Sequence, residues 1–200
     1  MRCALPAGSS PGETRFSLPR SSHGMTPSCA ICAGARLTAN GTVRTSTLKS
    51  RPSLLEMTEE EKYSAFLSGL QLRWFSPREV MNYAKSTRNG VPNSLPPEDL
   101  WTNLPPTLWV IDSLRESVGL PIRLTSIYRS PAYNKAVGGS SGSFHMKNAA
   151  IDFQVDGMGP QQAFNALNKM RHAGSWHGGL GAYETFTHCD AGLRLSNATW

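Results

Sequence analysis

From residue 58 onward, polar and apolar positions follow periods that can be read as elements. Thr58-Glu59-Glu60-Glu61 is a capping box: the Thr58 hydroxyl is set to accept from a first-turn amide and Glu61 to reach back, which predicts a helix through about Leu67. Phe75-Ser76-Pro77-Arg78-Glu79 repeats the signal, with Ser76 as N-cap, Pro77 at the first helical position and Glu79 at the third, and predicts a second helix toward Ala84. Residues 88–106, rich in Pro and Asn, read as a loop. Leu108, Ile111, Leu114 and Val118 then recur at helical spacing and stop at Gly119, with Pro121 beyond. This third helix has one apolar face and is expected to pack on a sheet.

The period shortens to two in the second half of the chain. Residues 122–128 read as a strand; Ser130-Pro131 opens a short helix ending at Gly138-Gly139, and residues 140–144 form a Gly/Ser loop. In residues 149–155, Ala149, Ile151, Phe153 and Val155 share one face while Ala150 and Asp152 occupy the other. Gly159-Pro160 starts another helix bearing Ala163, Phe164, Leu167 and Met170. Residues 178–190 read as one further strand and residues 191–200 as a terminal tail. The expected fold class is α+β, a small antiparallel sheet flanked by helices.

Residues 1–56 show neither period. They are rich in Ser, Pro, Gly, Thr and Arg, and are expected to be a disordered basic extension preceding a domain over residues 57–200. Helix chemistry begins right after Met57, which favours Met57 as the true start. The extension is similar in composition to a transit peptide but has no amphipathic Arg-bearing helix, and it has no apolar core of roughly 7–15 residues such as a secretory signal needs. No apolar run approaches the ~20 residues of a membrane-crossing helix, so no transmembrane segment is expected.

The net charge of +6 points to an anionic partner only until it is divided. Residues 1–56 carry seven basic and two acidic groups, residues 57–200 thirteen and twelve, so the domain itself is nearly neutral. Nucleic acid, whose binding rests on clustered basic charge, is therefore not an expected partner. The 200 residues, 39% hydrophobic, suffice for one domain with a core. Cys29-Ala30-Ile31-Cys32 has C-x-x-C spacing without a second pair or a βαβ context and is read as chance. Cys189 is expected to be a small core residue, and no disulfide framework is inferred.

Candidate chemistry concentrates in Ser143-Phe144-His145-Met146-Lys147-Asn148-Ala149-Ala150-Ile151-Asp152, which places an imidazole and a carboxylate in one turn-then-strand segment. Both are ordinary Zn²⁺ ligands, and a catalytic zinc takes three protein ligands with a fourth position open to water. The best third ligand is His188, in an alternating segment that would bring it from a second strand. The predicted metal set is His145, Asp152 and His188.

Tyr128-Arg129-Ser130-Pro131, Asn134, Val137-Gly138-Gly139, Ser143-x-His145 and Ala150-x-Asp152 together resemble the zinc D-Ala-D-Ala carboxypeptidase and murein endopeptidase family, whose fold is shared with the hedgehog signalling domain. The resemblance runs from about Phe75 to Asp190. It implies a hedgehog/DD-peptidase-like fold, the same three zinc ligands, and Arg129 beside the metal, binding a substrate carboxylate or the developing oxyanion. It also implies a substrate-binding role for Ser143, with Tyr128 and Asn134 shaping the site. Asn148 stands where the family has Gly and tolerates the left-handed backbone such a position requires. Ile127 replaces a Gly before the Tyr-Arg pair. Thr185 stands where relatives have an acid three positions before the last histidine, so that role does not carry over.

A general base must then come from elsewhere. On one continuous strand, Glu184 and Asp190 would share a face with His188; Asp190 is nearer and is placed first, Glu184 second and His177 third. Asp190 reads equally well as the orienter of a zinc-bound imidazole. His23 and His172 are expected to be exposed, and Trp101, Trp109 and Trp176 to be core residues rather than a glycan-stacking wall. Asn197-Ala198-Thr199 is a glycosylation sequon only in a secreted eukaryotic chain. The expected protein is a monomeric zinc metallopeptidase, a hydrolase acting on the stem peptides of cell-wall peptidoglycan as a D,D-carboxypeptidase or an endolysin-like endopeptidase. The alternative is an inactive zinc-binding, cell-wall-binding module. The substrate class implies the cell wall or periplasm.

Overall fold

Both predicted capping boxes form. Thr58 Oγ1 accepts from the Glu61 amide at 3.2 Å while a Glu61 carboxylate oxygen accepts from the Thr58 amide at 2.8 Å, opening α1 (Glu59–Gly69). Ser76 and Glu79 exchange the same pair at 3.3 and 2.9 Å and open α2 (Pro77–Met81), which tightens into a 3-10 turn over Asn82–Lys85. The computed structural model describes residues 56–194 and 196–200, all within one unit spanning Ser50–Trp200. The expected disorder of the N-terminal extension, His23 and the Cys29–Cys32 pair lie outside the described residues.

The predicted loop over residues 88–106 holds a small hairpin, β1 (Thr87–Arg88) with β2 (Val91–Pro92). Its turn, Asn89-Gly90, has φ of 50° and 77°, the left-handed pair a two-residue hairpin demands. A 3-10 turn over Glu98–Asn103 follows and carries Trp101 into the core, against Tyr63 at 5.0 Å between ring centres.

Helix α3 (Pro105–Val118) ends where predicted, at Gly119 with φ 66°. Leu108, Ile111 and Leu114 are fully buried on its inner face. Each such side chain contributes about 1.5–3 kcal/mol on burial, more than the ~0.7 kcal/mol or less that separates ordinary residues in helix propensity. Packing against the sheet therefore decides this helix.

The remaining elements are β3 (Ile122–Ser126), α4 (Pro131–Ala136), β4 (Ala150–Val155), α5 (Pro160–His172), β5 (Gly178–Ala182), β6 (Thr187–Ala191) and β7 (Ala198–Thr199). The sheet order is β3-β4-β6-β5-β7, with the first four strands antiparallel neighbours. Two expectations are corrected here. Residues 178–190 are not one strand but a hairpin, broken at 183–186 where the Tyr183 amide bonds the Phe186 carbonyl at 2.9 Å. The tail is not a tail: β7 pairs parallel to β5 at the edge, so the sheet is not wholly antiparallel. Buried Arg171 holds it there, donating to the carbonyls of Gly178 and Ala198, each at 2.9 Å.

Helices α3 and α5 cover one face of the sheet, where Ile151, Phe153 and Val155 of β4 join Leu108, Leu167 and Cys189 in the core. Thr107 ties α3 to two strand ends: its hydroxyl donates to the Ala149 carbonyl at 2.8 Å and accepts from the Ala191 amide at 2.9 Å. Trp176 is buried like Trp101, whereas Trp109 is half exposed, contrary to its expected place in the core. His172 is exposed, as expected. Asp152, His188 and Asp190 sit in two adjacent interior strands, β4 and β6. Among the described residues no helix is long and apolar enough to cross a membrane.

Candidate metal centre

Antiparallel pairing of β4 with β6 puts Asp152 directly opposite His188 and Ala150 opposite Asp190. Directly opposed residues share a face, so two of the three predicted ligands are fixed by strand register alone. His145 arrives differently. Ser143 caps a 3-10 turn over Phe144–Lys147, its hydroxyl accepting from the His145 amide at 3.3 Å. Asn148 closes that turn at φ 53° and ψ 37°, the left-handed conformation predicted for it, and its side chain donates to the Leu100 carbonyl at 3.1 Å.

The three groups converge. His145 Nε2 lies 3.1 Å and His188 Nδ1 2.7 Å from the same Asp152 oxygen, and the two nitrogens are 3.3 Å apart. All three residues are buried. The opposite ring nitrogens are engaged: His145 Nδ1 donates to the Ile127 carbonyl at 2.6 Å and His188 Nε2 to Asp190 at 3.3 Å. With the protons assigned to those outer nitrogens, the inner lone pairs face the carboxylate. Two neutral imidazoles and one carboxylate, each imidazole backed by an acceptor, are a donor set that fits zinc.

Burial pulls the His145 pKa down, and Arg129 and His188 add to this against the pull of Asp152. Burial also acts to lower His188, but its hydrogen bonds and charge interactions with Asp152 and Asp190 outweigh it and raise the pKa. Asp152 shows the reverse balance: burial would raise its pKa, and the two histidines hold it well below the usual carboxylate range. Asp190 is held low in the same way, against its burial, by His188, Arg194 and the Gly179 amide.

Arg129 is at the site but already partnered. It donates through Nη2 to the second oxygen of Asp152 and through Nε to Ser126 Oγ at 2.8 Å, and its amide bonds the His145 carbonyl at 3.1 Å. Ser143 and Asp190 line the same cleft, about 420 Å³ in volume. Glu184 does not. It is exposed in the turn between β5 and β6, because the continuous strand that aligned it with His188 does not exist. His177 is exposed and faces a different cavity, with Trp109 and Trp176.

Several residues at the cleft were not singled out from sequence. Tyr183, Phe186 and Trp200 form an aromatic wall; Trp200 Nε1 donates to the Tyr183 hydroxyl at 2.8 Å and its ring centre is 5.4 Å from that of His188. Arg194 braces Asp190. Asn93 spans the Tyr-Arg segment, donating to the Tyr128 carbonyl at 2.8 Å and accepting from the Ser130 amide at 3.0 Å. A polar residue in a Pro/Asn-rich stretch gave no signal of that role.

The sequence profile of peptidase M15 matches residues 73–190, more than half of the chain. The chain belongs to the peptidase M15 family. The matched stretch contains all three candidate ligands, whereas Arg194 and Trp200 lie beyond it. Membership in peptidase M15 agrees with the resemblance carried by the Tyr128-Arg129 and Ser143–Asp152 motifs, and it places the chain among metallopeptidases. No curated protein matches the chain.

Proposed function

We propose that this peptidase M15 chain is a zinc metallopeptidase hydrolysing amide bonds in peptidoglycan stem peptides, as a D,D-carboxypeptidase or a murein endopeptidase. The observation that carries the reading is the buried His145–Asp152–His188 cluster on the wall of an open cleft. Zinc held by His145 Nε2, Asp152 and His188 Nδ1 supplies a Lewis acid and a bound water whose pKa falls to about 7.

The protein groups have separate tasks in this reading. The Ile127 carbonyl and Asp190 select the tautomers of His145 and His188. Arg129 occupies one oxygen of Asp152, so that the other faces the imidazoles. Asp190, first among the sequence candidates for general base, is instead an orienter: its oxygens already accept from His188, Arg194 and the Gly179 amide. The aromatic wall and the Gly138–Gly142 loop bound the space for substrate.

A second reading is a zinc-binding cell-wall module without turnover. It is favoured by Thr185 at the position where relatives carry an acid and by the commitment of Asp190 to other partners. Digestion of purified muropeptides by the full chain, with chelator and after zinc is restored, separates the readings. Zinc-dependent cleavage supports the peptidase; one equivalent of bound zinc without cleavage supports the module. Absence of bound zinc sinks both.

A further inference from the structure

We propose that Arg194 is a positioning residue for the metal centre: its guanidinium fork locks Asp190 against His188. Stacking on Phe144 and Trp200 holds the fork itself in place. The inference rests on the metallopeptidase reading and extends it to a residue outside the stretch that matches peptidase M15.

Arg194 Nε donates to Asp190 Oδ1 at 2.8 Å and Nη2 to Oδ2 at 3.0 Å. This is the two-bond geometry that a planar guanidinium makes and an ammonium does not. Each oxygen has one further donor: the Gly179 amide on Oδ1 at 3.0 Å and His188 Nε2 on Oδ2 at 3.3 Å. Asp190 is almost fully buried, its side chain 2% exposed, so its oxygens rest on protein donors and lose two of these bonds when Arg194 is removed. Without Arg194, the carboxylate that fixes the His188 ring would be free to rotate away from it.

The surroundings are shaped for the pair. The Arg194 guanidinium carbon lies 4.7 Å from the centre of the Phe144 ring and 5.4 Å from that of Trp200. A Cβ on Gly179 would stand 2.4 Å from Asp190 Oδ2 and 2.8 Å from Arg194 Nε, so this strand position admits no side chain while the lock is closed. Glycine in a strand interior weakens the strand, and here the space it leaves is filled by the ion pair. A solvent-exposed pair four residues apart would contribute little. This pair acts on a buried ligand. The alternative of a substrate-carboxylate clasp is disfavoured because Nε and Nη2 are already spent on Asp190.

The test is zinc affinity, measured on the full chain by competition with a chromophoric chelator, together with the visible spectrum of the cobalt(II)-loaded protein and the melting temperature of the metal-free protein. Arg194→Ala is expected to weaken zinc binding about 10–100-fold and to alter the cobalt spectrum, as loss of a partner behind a metal ligand does. Arg194→Lys should fall between, since one ammonium replaces one of the two bonds. Wild-type affinity in both variants overturns the proposal, as does a lowered melting temperature with unchanged affinity and spectrum. If Arg194→Ala does not fold, Arg194→Lys decides, with wild-type affinity overturning the proposal. Wild-type protein that takes up no zinc overturns the metallopeptidase reading itself, a result distinct from any of these.

Discussion

Arg129 and Asp152 are joined through Nη2 and Oδ2, so the carboxylate oxygen that remains, Oδ1, is the one shared by His145 and His188. An arginine read from sequence as a substrate or oxyanion anchor thus sits behind a candidate ligand. Arg129→Ala is expected to reduce zinc affinity about 10–100-fold. Isothermal titration would show this directly; a raised KM with undiminished zinc affinity would return Arg129 to the substrate.

Asp190 and Glu184 were rivals on paper and are separated in space. Asp190→Ala should lower zinc affinity about 10–100-fold and muropeptide cleavage with it. Glu184→Ala, at an exposed turn outside the cleft, should leave both within about twofold, as expected of surface positions. Metal content and initial rates measured on both variants check the pair.

On the metallopeptidase reading, protons would compete with zinc for His188. In the metal-free protein its pKa is raised above the ordinary 6.5, because Asp152 and Asp190 outweigh the cost of burial. Below that raised pKa the ring is charged, and zinc must displace a proton; above it the ring is free. Zinc affinity should therefore still be climbing with pH at 6.5 and level off only above the raised pKa. Chelator competition across a pH series reads this out, and a curve already level at pH 6.5 would contradict the assignment.

Thr107→Val keeps the shape of the side chain and removes its hydroxyl. The buried Ala149 carbonyl and Ala191 amide then lose this partner. Unfolding free energy should fall by about 2 kcal/mol, within the usual range for stranding buried polar groups. Denaturant titration of the zinc-loaded and zinc-free forms should show the loss in both.

Two glycines in β5 should respond unequally to Ala. At Gly179 the new Cβ meets Asp190 Oδ2 at 2.4 Å, a buried carboxylate held by four hydrogen bonds, and a loss of about 3 kcal/mol is expected, the upper end of overpacking costs. At Gly181 it meets Trp200 Nε1 at 2.5 Å, but that ring is half exposed and can swing outward, so about 1 kcal/mol is expected. The Gly181 variant should show its effect in KM instead, since the displaced ring belongs to the cleft wall. Thermal melts and steady-state kinetics distinguish the two.

Legibility from sequence followed how local each signal was. The capping boxes at Thr58 and Ser76, the Gly119 stop and the left-handed Asn148 are settled within a few residues, and all appear in the structure. The alternation of residues 149–155 correctly separated Asp152 from the core-facing Ile151 and Phe153. The break between β5 and β6 was invisible: Gly178-Gly179-Leu180-Gly181 offers almost no side chains to mark a face, and the Tyr183–Phe186 turn lacks Gly, Pro or Asn. That error is what put Glu184 beside His188.

Strand β7 and Arg194 failed to show for a different reason. A two-residue strand has no period, and its position depends on Arg171, a residue 27 positions away from Ala198. Arg194 acquires its place from the empty space at Gly179 and from rings at Phe144 and Trp200. Such relations are products of packing and leave no trace in spacing. Trp101 and Trp109 illustrate the same point, since neighbouring tryptophans of one composition class end buried and half exposed.

If Asp152 and His188 hold the metal as proposed, their direct opposition would make metal capture a proofreader of folding. A slip of one residue between β4 and β6 would send one of the two to the helix-covered face and leave no adjacent pair to chelate an ion. On the metallopeptidase reading, refolded material would then sort by its hold on zinc, with misaligned chains emerging empty from a competing chelator.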